Sequence, residues 1–444
     1  MFETRIVGGT VISADGAQCC DVAIHGGRVV ALLSPTEAGE AQILVDAANS
    51  FLMPGLVDAH AHLREPGLTH KEDFESGTHA AALGGVTTVL DMPTDEPWTA
   101  TGEDLAAKIA LAEGRVHVDV GFQAVVSSDL GLVPGLRTHA PVSFELFTAD
   151  VANRFLFPTL DAVTTALLHL VKTDTLVGVS PGDQSILLGS IARHDGRDVG
   201  AFLASRPPLA EAGGIARAML AGAATGARIH IRQTNSALGL ETWGRLRGMA
   251  DASIETTPQN LFFTAEEYEH RGAELKASPP FRAPADVQAL RNALRGGLID
   301  IVATDHAPHS PAEKAASYRA FADIPGGMPG LQTLLFVMLK LADEGLIEFR
   351  DIARMCAENP ARRFGLGGSK GKIAPGYDAD ILVLDPRRPS RISAAEQVSR
   401  AVTTPFDGWR VNARLSRVFL HGQEIVRVGV LTGRAGGRVL RRET

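Results

Sequence analysis

Cysteine is nearly missing from this chain: Cys19, Cys20 and Cys356 are the three thiols among 444 residues. Two of them are adjacent, a pair that seldom bridges, so no disulfide framework is expected and a reducing cytoplasm is the expected setting. A basic excess is missing too. Lys and Arg number 43 against 51 Asp and Glu, for a formal net charge of −8. That balance argues against a nucleic-acid binder and suits solubility. No apolar run reaches membrane-spanning length without a Gly or a charge. Met1-Phe2-Glu3-Thr4-Arg5 leads into short strand-like pieces, where a secretory signal would need a longer apolar region. Low-complexity tracts are absent as well. What remains is an ordinary globular composition, 45% hydrophobic and 21% charged, with ample material for a core.

The length exceeds one average domain but suits a large α/β barrel with an attachment. Up to about residue 55 the chain reads as short strands and turns, with no convincing helix. Residues 6–12 are strand-like, Asp15-Gly16 is a hairpin turn, and 21–32 read strand, turn, strand. Such a meander cannot bury its own apolar face and must pack on something else. From Leu56 short apolar strands alternate with helical stretches. Eight strands are expected, at 56–63, 87–92, 117–126, 143–147, 176–180, 228–234, 252–257 and 299–305. The clearest helices are expected at 73–83, 210–224 and 285–294. Eight βα units close into a (β/α)8 TIM barrel whose active site lies at the C-terminal strand ends. After Phe364 the chain turns Gly-rich and strand-like again. The expected division is 1–55 and 366–444 as the two parts of one small β-sandwich, with 56–365 as the barrel. The tail 433–444, rich in Gly and Arg, is expected to be loose.

Against this frame the stretch PGLVDAHAHLREPG (54–67) stands out. On a strand, residues i and i+2 share a face, so His60 and His62 can aim two imidazoles at one point, as a metal ion requires. By itself the spacing also fits two surface histidines. Other chemically interesting residues fall at or near strand ends: Thr94, Glu145, Ser180, Gln233 and Asp305.

The full set of motifs resembles the amidohydrolase superfamily, in its cyclic amidohydrolase group of dihydroorotase, allantoinase and hydantoinase. Besides 54–67 they are GGVTTVLDMP (84–93), SRPPLAE (205–211), SPPFR (278–282), ATDHAPHS (303–310), NPARRFGL (359–366) and GYDADILVLDP (376–386). HLREPG and ATDHAPH resemble dihydroorotase most, and SPPFR is also similar to allantoinase. The resemblance implies metal-dependent hydrolysis of a cyclic amide C–N bond, with metal-activated water as nucleophile and Asp305 as general base and acid. It assigns His60, His62, Asp305 and Glu145 to the metal, and Arg64, Thr94, Ser278 and His309 to the substrate. Arg64 would pair with a substrate carboxylate.

Several family positions differ. Glu145 stands where two-metal members carry a carboxylated lysine. Its shorter side chain is expected to reach one metal without spanning two, or else to pair with Arg232. Ser180 and Gln233 stand at second-metal histidine positions, and both are poor zinc ligands. His230, at the other parity from Gln233, reads as structural. Pro258-Gln259-Asn260 replaces a frequent Pro-His-His. The expectation is therefore one divalent metal ion, zinc first, acting on a small cyclic amide that can carry a carboxylate. A homo-oligomer, dimer or tetramer, is expected, with no membrane or nucleic-acid partner. The other reading is a non-catalytic dihydroorotase-like subunit with a structural or partner-binding role. The lost ligands motivate it, and the retained His60, His62 and Asp305 argue against it.

Overall fold

The computed structural model describes residues 1–36, 39–433 and 435–442. Eight strands follow one another around a parallel sheet: β1 (Leu56–Ala61), β2 (Val86–Asp91), β3 (Asp119–Val125), β4 (Ser143–Phe147), β5 (Leu176–Ser180), β6 (Ile229–Ile231), β7 (Ala252–Thr256) and β8 (Ile301–Val302). Each pairs in parallel with the next. The ring closes where Ala61 bridges His306 and the His62 N–H donates to the His306 carbonyl at 2.7 Å. The expected barrel is thus the one observed, with helices at Phe74–Leu83, Pro208–Thr225 and Pro284–Arg295 on its outside. The first of these starts where the Asp73 carboxylate accepts the Ser76 N–H at 2.8 Å, satisfying a donor the helix cannot.

The sixth and eighth strands fall furthest short of the sequence pattern. The sixth stops at Ile231 and the eighth at Val302. Gln233 and Asp305 both take left-handed backbone, each with φ of 47°, which breaks the ladder and turns the side chain off the strand's alternation. The first strand ends at Ala61, and Arg64 is left-handed as well, with φ of 62°. Arg64, Gln233 and Asp305 therefore sit on bends just past the strands.

Along the barrel axis the interior changes character. Toward the N-terminal ends it is apolar, with Val57, Leu90, Val142, Leu176 and Ile301 packed together. Nearer the mouth, Gln123, Ser143, Glu145, His230, Arg232 and Glu255 are all buried. Charges so placed must pair with one another.

The two chain ends build sheets beside the barrel. One has four strands, in the order Arg28–Leu33, Asp21–His25, Phe2–Val7, Ala41–Asp46. The other has seven, combining Phe51–Pro54, Thr10–Ser13 and Gly16–Cys19 with Ile381–Asp385, Arg414–Leu420, Gln423–Arg427 and Val430–Leu431. Phe51–Pro54 runs antiparallel to Ile381–Asp385, with Ile381 opposite Pro54. The latter strand is apolar from Ile381 to Leu384 because both of its faces are covered there. Ile381 and Val383 pack into the sandwich with Ile6, Val22 and Phe419, whereas Leu382 and Leu384 join the large barrel core. Where the chain passes from sandwich to barrel, Gly55 lies so close to Thr87 that an added Cβ would sit 2.1 Å from its hydroxyl.

A buried ionic clasp joins the two parts. Lys370 Nζ lies 2.7 Å from Asp380 and 2.9 Å from Asp378 and also pairs with Asp119 at the foot of β3. His421 Nε2 meets Asp119 at 3.0 Å. Within its described residues the tail differs from expectation; 434, 443 and 444 lie outside them. Val439–Leu440 forms a short strand parallel to β3, with Val439 opposite Val120. The Arg438 N–H donates to Asp119 at 2.7 Å and Leu440 joins the barrel-floor cluster. The β3–β4 pairing begins only at Gln123, which leaves an unfilled ladder for the tail's apolar pair to occupy. Among the described residues no helix is long and apolar enough to cross a membrane.

Candidate active site

At the C-terminal mouth of the barrel, His60 Nε2 lies 3.4 Å and His62 Nε2 3.3 Å from Asp305 Oδ1. The two rings are 5.5 Å apart. The register that brings them together is fixed by Asp58, whose carboxylate accepts the Thr304 N–H at 3.0 Å and the His60 N–H at 3.2 Å. Each histidine commits its other nitrogen. His60 Nδ1 meets Glu255 Oε1 at 2.6 Å, and His62 Nδ1 meets Thr94 Oγ1 at 2.8 Å. Both Nε2 atoms are thereby left facing one carboxylate. The three ligand atoms lie within 4.8 Å of one another. Two imidazoles, a carboxylate and an open side match the donor set of a catalytic zinc site, so these residues fit a divalent ion. Among the described residues one other trio lies as close, Asp119, Asp378 and His421. Its carboxylates already hold the Lys370 ammonium.

The electrostatics follow from burial. Burial raises the Asp305 carboxyl to about 6; His60 partly offsets this and Glu255 adds to it. For His60, burial works downward, but Glu255 and Asp305 outweigh it and the ring's pKa is raised. His62 is held well below the ordinary value by burial, with Arg64 and His60 adding to it. Glu255 stays far below the usual carboxylate range: burial opposes this, and Arg232 and His60 prevail.

A cavity of about 200 Å³ opens over the trio, lined by Arg64, Met92, Phe147, Ser180, Gln233, Ser278 and Ala307. That is room for about seven water molecules at ~30 Å³ each, the scale of one small ring. Arg64 is 8% exposed, and its Nε is buried without a hydrogen-bond partner. It reaches the cavity from its left-handed turn just past the end of β1. Ser180 and Ser278 line the cavity as well. Gln233 Nε2 donates to Asp305 Oδ2. A larger hollow of about 980 Å³ lies between Gly16–Ala17 and the segment 345–351, away from this trio.

Glu145 is not where a metal ligand would be. Its carboxylate is fully buried on Arg232, with Oε1 2.5 Å from Nη2 and Oε2 3.2 Å from Nε. It also accepts the Ser143 hydroxyl at 2.8 Å. A short side chain pointing into the barrel meets the guanidinium before it can reach the mouth. Gly178 makes room for the pair: a Cβ there would lie 2.2 Å from Glu145 Oε2. Thr94 stands behind His62 instead of lining the cavity. His309 lies to one side, with Nε2 donating to the Gly326 carbonyl at 3.0 Å and Nδ1 3.4 Å from Lys71 Nζ. It lines a neighbouring pocket of about 330 Å³.

Glu255 is the functional candidate that sequence reasoning missed. The signal was available: a glutamate in the middle of the strand Ala-Ser-Ile-Glu-Thr, on the parity of inward-facing Ser253. Arg232 bonds both Glu145 and Glu255, and it also donates to the Ala59 carbonyl at 2.9 Å.

A histidine pair at the first strand and an aspartate past the eighth, gathered at the mouth of a parallel barrel, define a class of metal-dependent barrel hydrolases. The chain belongs to the amidohydrolase family, whose model matches residues 51–129 and 229–425. The unmatched interval holds Glu145 and Ser180. The chain is 35% identical to a dihydroorotase of Halobacterium salinarum over 91% of its length and 92% of that protein's. It is 34% identical to an allantoinase of Deinococcus radiodurans over 99% of both chains. Among solved structures, the L-hydantoinase (dihydropyrimidinase) of Arthrobacter aurescens superposes with a TM-score of 0.95 at 26% identity, covering 100% of both chains.

Proposed function

We propose that this chain is a one-metal hydrolase that opens a small cyclic amide bearing a carboxylate. The reading is carried by the convergence of His60, His62 and Asp305, with Glu145 held away from it by Arg232. The Arg232 guanidinium bridges Glu145 and Glu255, both fully buried, so Glu145 is committed below the mouth, and Ser180 and Gln233 there offer no imidazole to a second ion. His60, His62 and Asp305 would hold the ion, with zinc favoured by the donor types. Such an ion, when bound, polarises a carbonyl and lowers the pKa of water to about 7.

The protein's own groups supply the rest. Asp305 takes a proton from the attacking water as the new C–O bond forms. It returns the proton to the ring nitrogen as the C–N bond breaks. Gln233, donating to Oδ2, keeps that carboxylate aimed. The unpartnered Arg64 Nε, with its guanidinium in the cavity wall, suits a planar carboxylate. Ser180 and Ser278 offer hydroxyls to the ring, and Met92 and Phe147 keep one wall dry. His309 braces the loop at Gly326. The free thiols suit a reducing cytoplasm. Exposed Leu160, Leu168, Leu188 and Ile191 support a homo-oligomer, dimer or tetramer.

The test is metal analysis of the purified chain together with turnover of dihydroorotate, allantoin, hydantoins and dihydropyrimidines. The reading expects about one zinc per chain, turnover of at least one ring, and loss of that turnover by about 10³-fold or more in Asp305→Asn. A metal-free protein inert toward all four would overturn it in favour of a non-catalytic subunit.

A further inference from the structure

We propose that Glu255 is a positioning residue for this site, fixing the His60 ring so that Nε2 faces Asp305. The proposal rests on the one-metal reading above. Glu255 projects from β7 into the barrel and is fully buried. Its Oε1 takes His60 Nδ1 at 2.6 Å and the Gln233 N–H at 3.4 Å, while its Oε2 takes His230 Nε2 at 2.9 Å and Arg232 Nη1 at 3.2 Å. Each oxygen therefore has two partners, and the carboxylate has little freedom to turn. A carboxylate on one imidazole nitrogen accepts the proton there and leaves the lone pair on the other, fixing both tautomer and ring plane.

The two histidines are not equivalent. His62 Nδ1 faces only the neutral hydroxyl of Thr94, at 2.8 Å. His60 is held by a charge that is itself braced by a guanidinium. The chain Glu145–Arg232–Glu255–His60 thus runs unbroken from the interior of the barrel to its mouth. The consequence is asymmetric: the His60 half of the site should depend on its support far more than the His62 half.

The experiment measures Zn²⁺ affinity by chelator competition on the full-length protein, alongside melting of the metal-free form. Glu255→Gln is expected to weaken zinc binding by about 10- to 100-fold, and Thr94→Val by less than Glu255→Gln. His230→Gln disturbs the same buried network but leaves the His60 contact and the Arg232 brace; it should change affinity by less than about threefold. If the Glu255→Gln chain does not fold, Glu255→Asp carries the same expectation. It keeps the charge for Arg232 but withdraws the oxygen from His60. Wild-type affinity in the Glu255 variant, or an equal loss in His230→Gln, overturns the proposal. Failure of the wild-type protein to bind one zinc would instead sink the one-metal reading on which it rests.

Discussion

Glu145→Gln separates a ligand from a counter-ion. If the carboxylate serves Arg232, as the 2.5 and 3.2 Å contacts indicate, its loss is paid in stability and not in metal. Removing one partner of a buried ion pair costs about 3–5 kcal/mol when the other charge is stranded. Arg232 would keep Glu255 at 3.2 Å and the Ala59 carbonyl at 2.9 Å, which places the cost near the lower end, about 3 kcal/mol. At ~2.1 cal/mol/K per residue, unfolding 444 residues carries an entropy of about 0.9 kcal/mol/K, so the midpoint should fall by about 3 °C. The assay pairs calorimetry of the metal-free chain with zinc content after dialysis. Zinc should stay near one per chain, with affinity within about threefold of wild type, whereas His62→Asn should empty the site. A Glu145→Gln protein that melts normally yet loses its zinc would refute the argument. The carboxylate would then have to leave Arg232 to bind metal.

Three further outcomes follow from the geometry. Gly178→Ala pushes a methyl to 2.2 Å from Glu145 Oε2 and should cost about 1–3 kcal/mol by urea unfolding, with the loss largely relieved in a Glu145→Ala background. Lys370→Met removes the one ammonium shared by Asp119, Asp378 and Asp380; it should destabilise the chain by about 3–5 kcal/mol at neutral pH and less in acid, where the carboxylates can take up protons. Burial, with Arg64 and Lys71 adding to it, depresses the His309 ring to about 3, against about 6.5 in an unfolded chain. Between those values the unfolded state binds the extra proton, so stability falls as pH drops below about 6.5. The loss should be about 1 kcal/mol from pH 6 to pH 5, and a denaturant series should show His309→Gln to be correspondingly flatter.

Much of the barrel was legible because its strands are buried on both faces and read as apolar runs. Ser143–Phe147 and Leu176–Ser180 fall where the pattern put them. The strand ends were less legible. Periodicity carries a strand forward until something stops it, and the left-handed residues Gln233 and Asp305 are not glycines that would announce a break. The metal-type trio was readable from residue type and position. Glu145 was not resolved, because its role depends on Arg232, 87 positions away in sequence, and pairing across a barrel leaves no local pattern. Thr94 sits behind a histidine for the same reason. The tail misled through its composition. Gly and Arg suggest looseness, but two apolar residues, Val439 and Leu440, found an open ladder on β3.

The seven-stranded sheet also orders events in time. Phe51–Pro54 leaves the ribosome early, yet its antiparallel partner Ile381–Asp385 follows more than three hundred residues later. Until then Leu52 and Met53, fully buried in the finished protein, have no sheet to join on that side. Pairings this distant pay loop closure before any contact repays it, and they slow folding. Phe51–Pro54 is therefore a strand of the nascent chain exposed to wrong partners, and one a chaperone would be expected to hold until Ile381–Asp385 arrives.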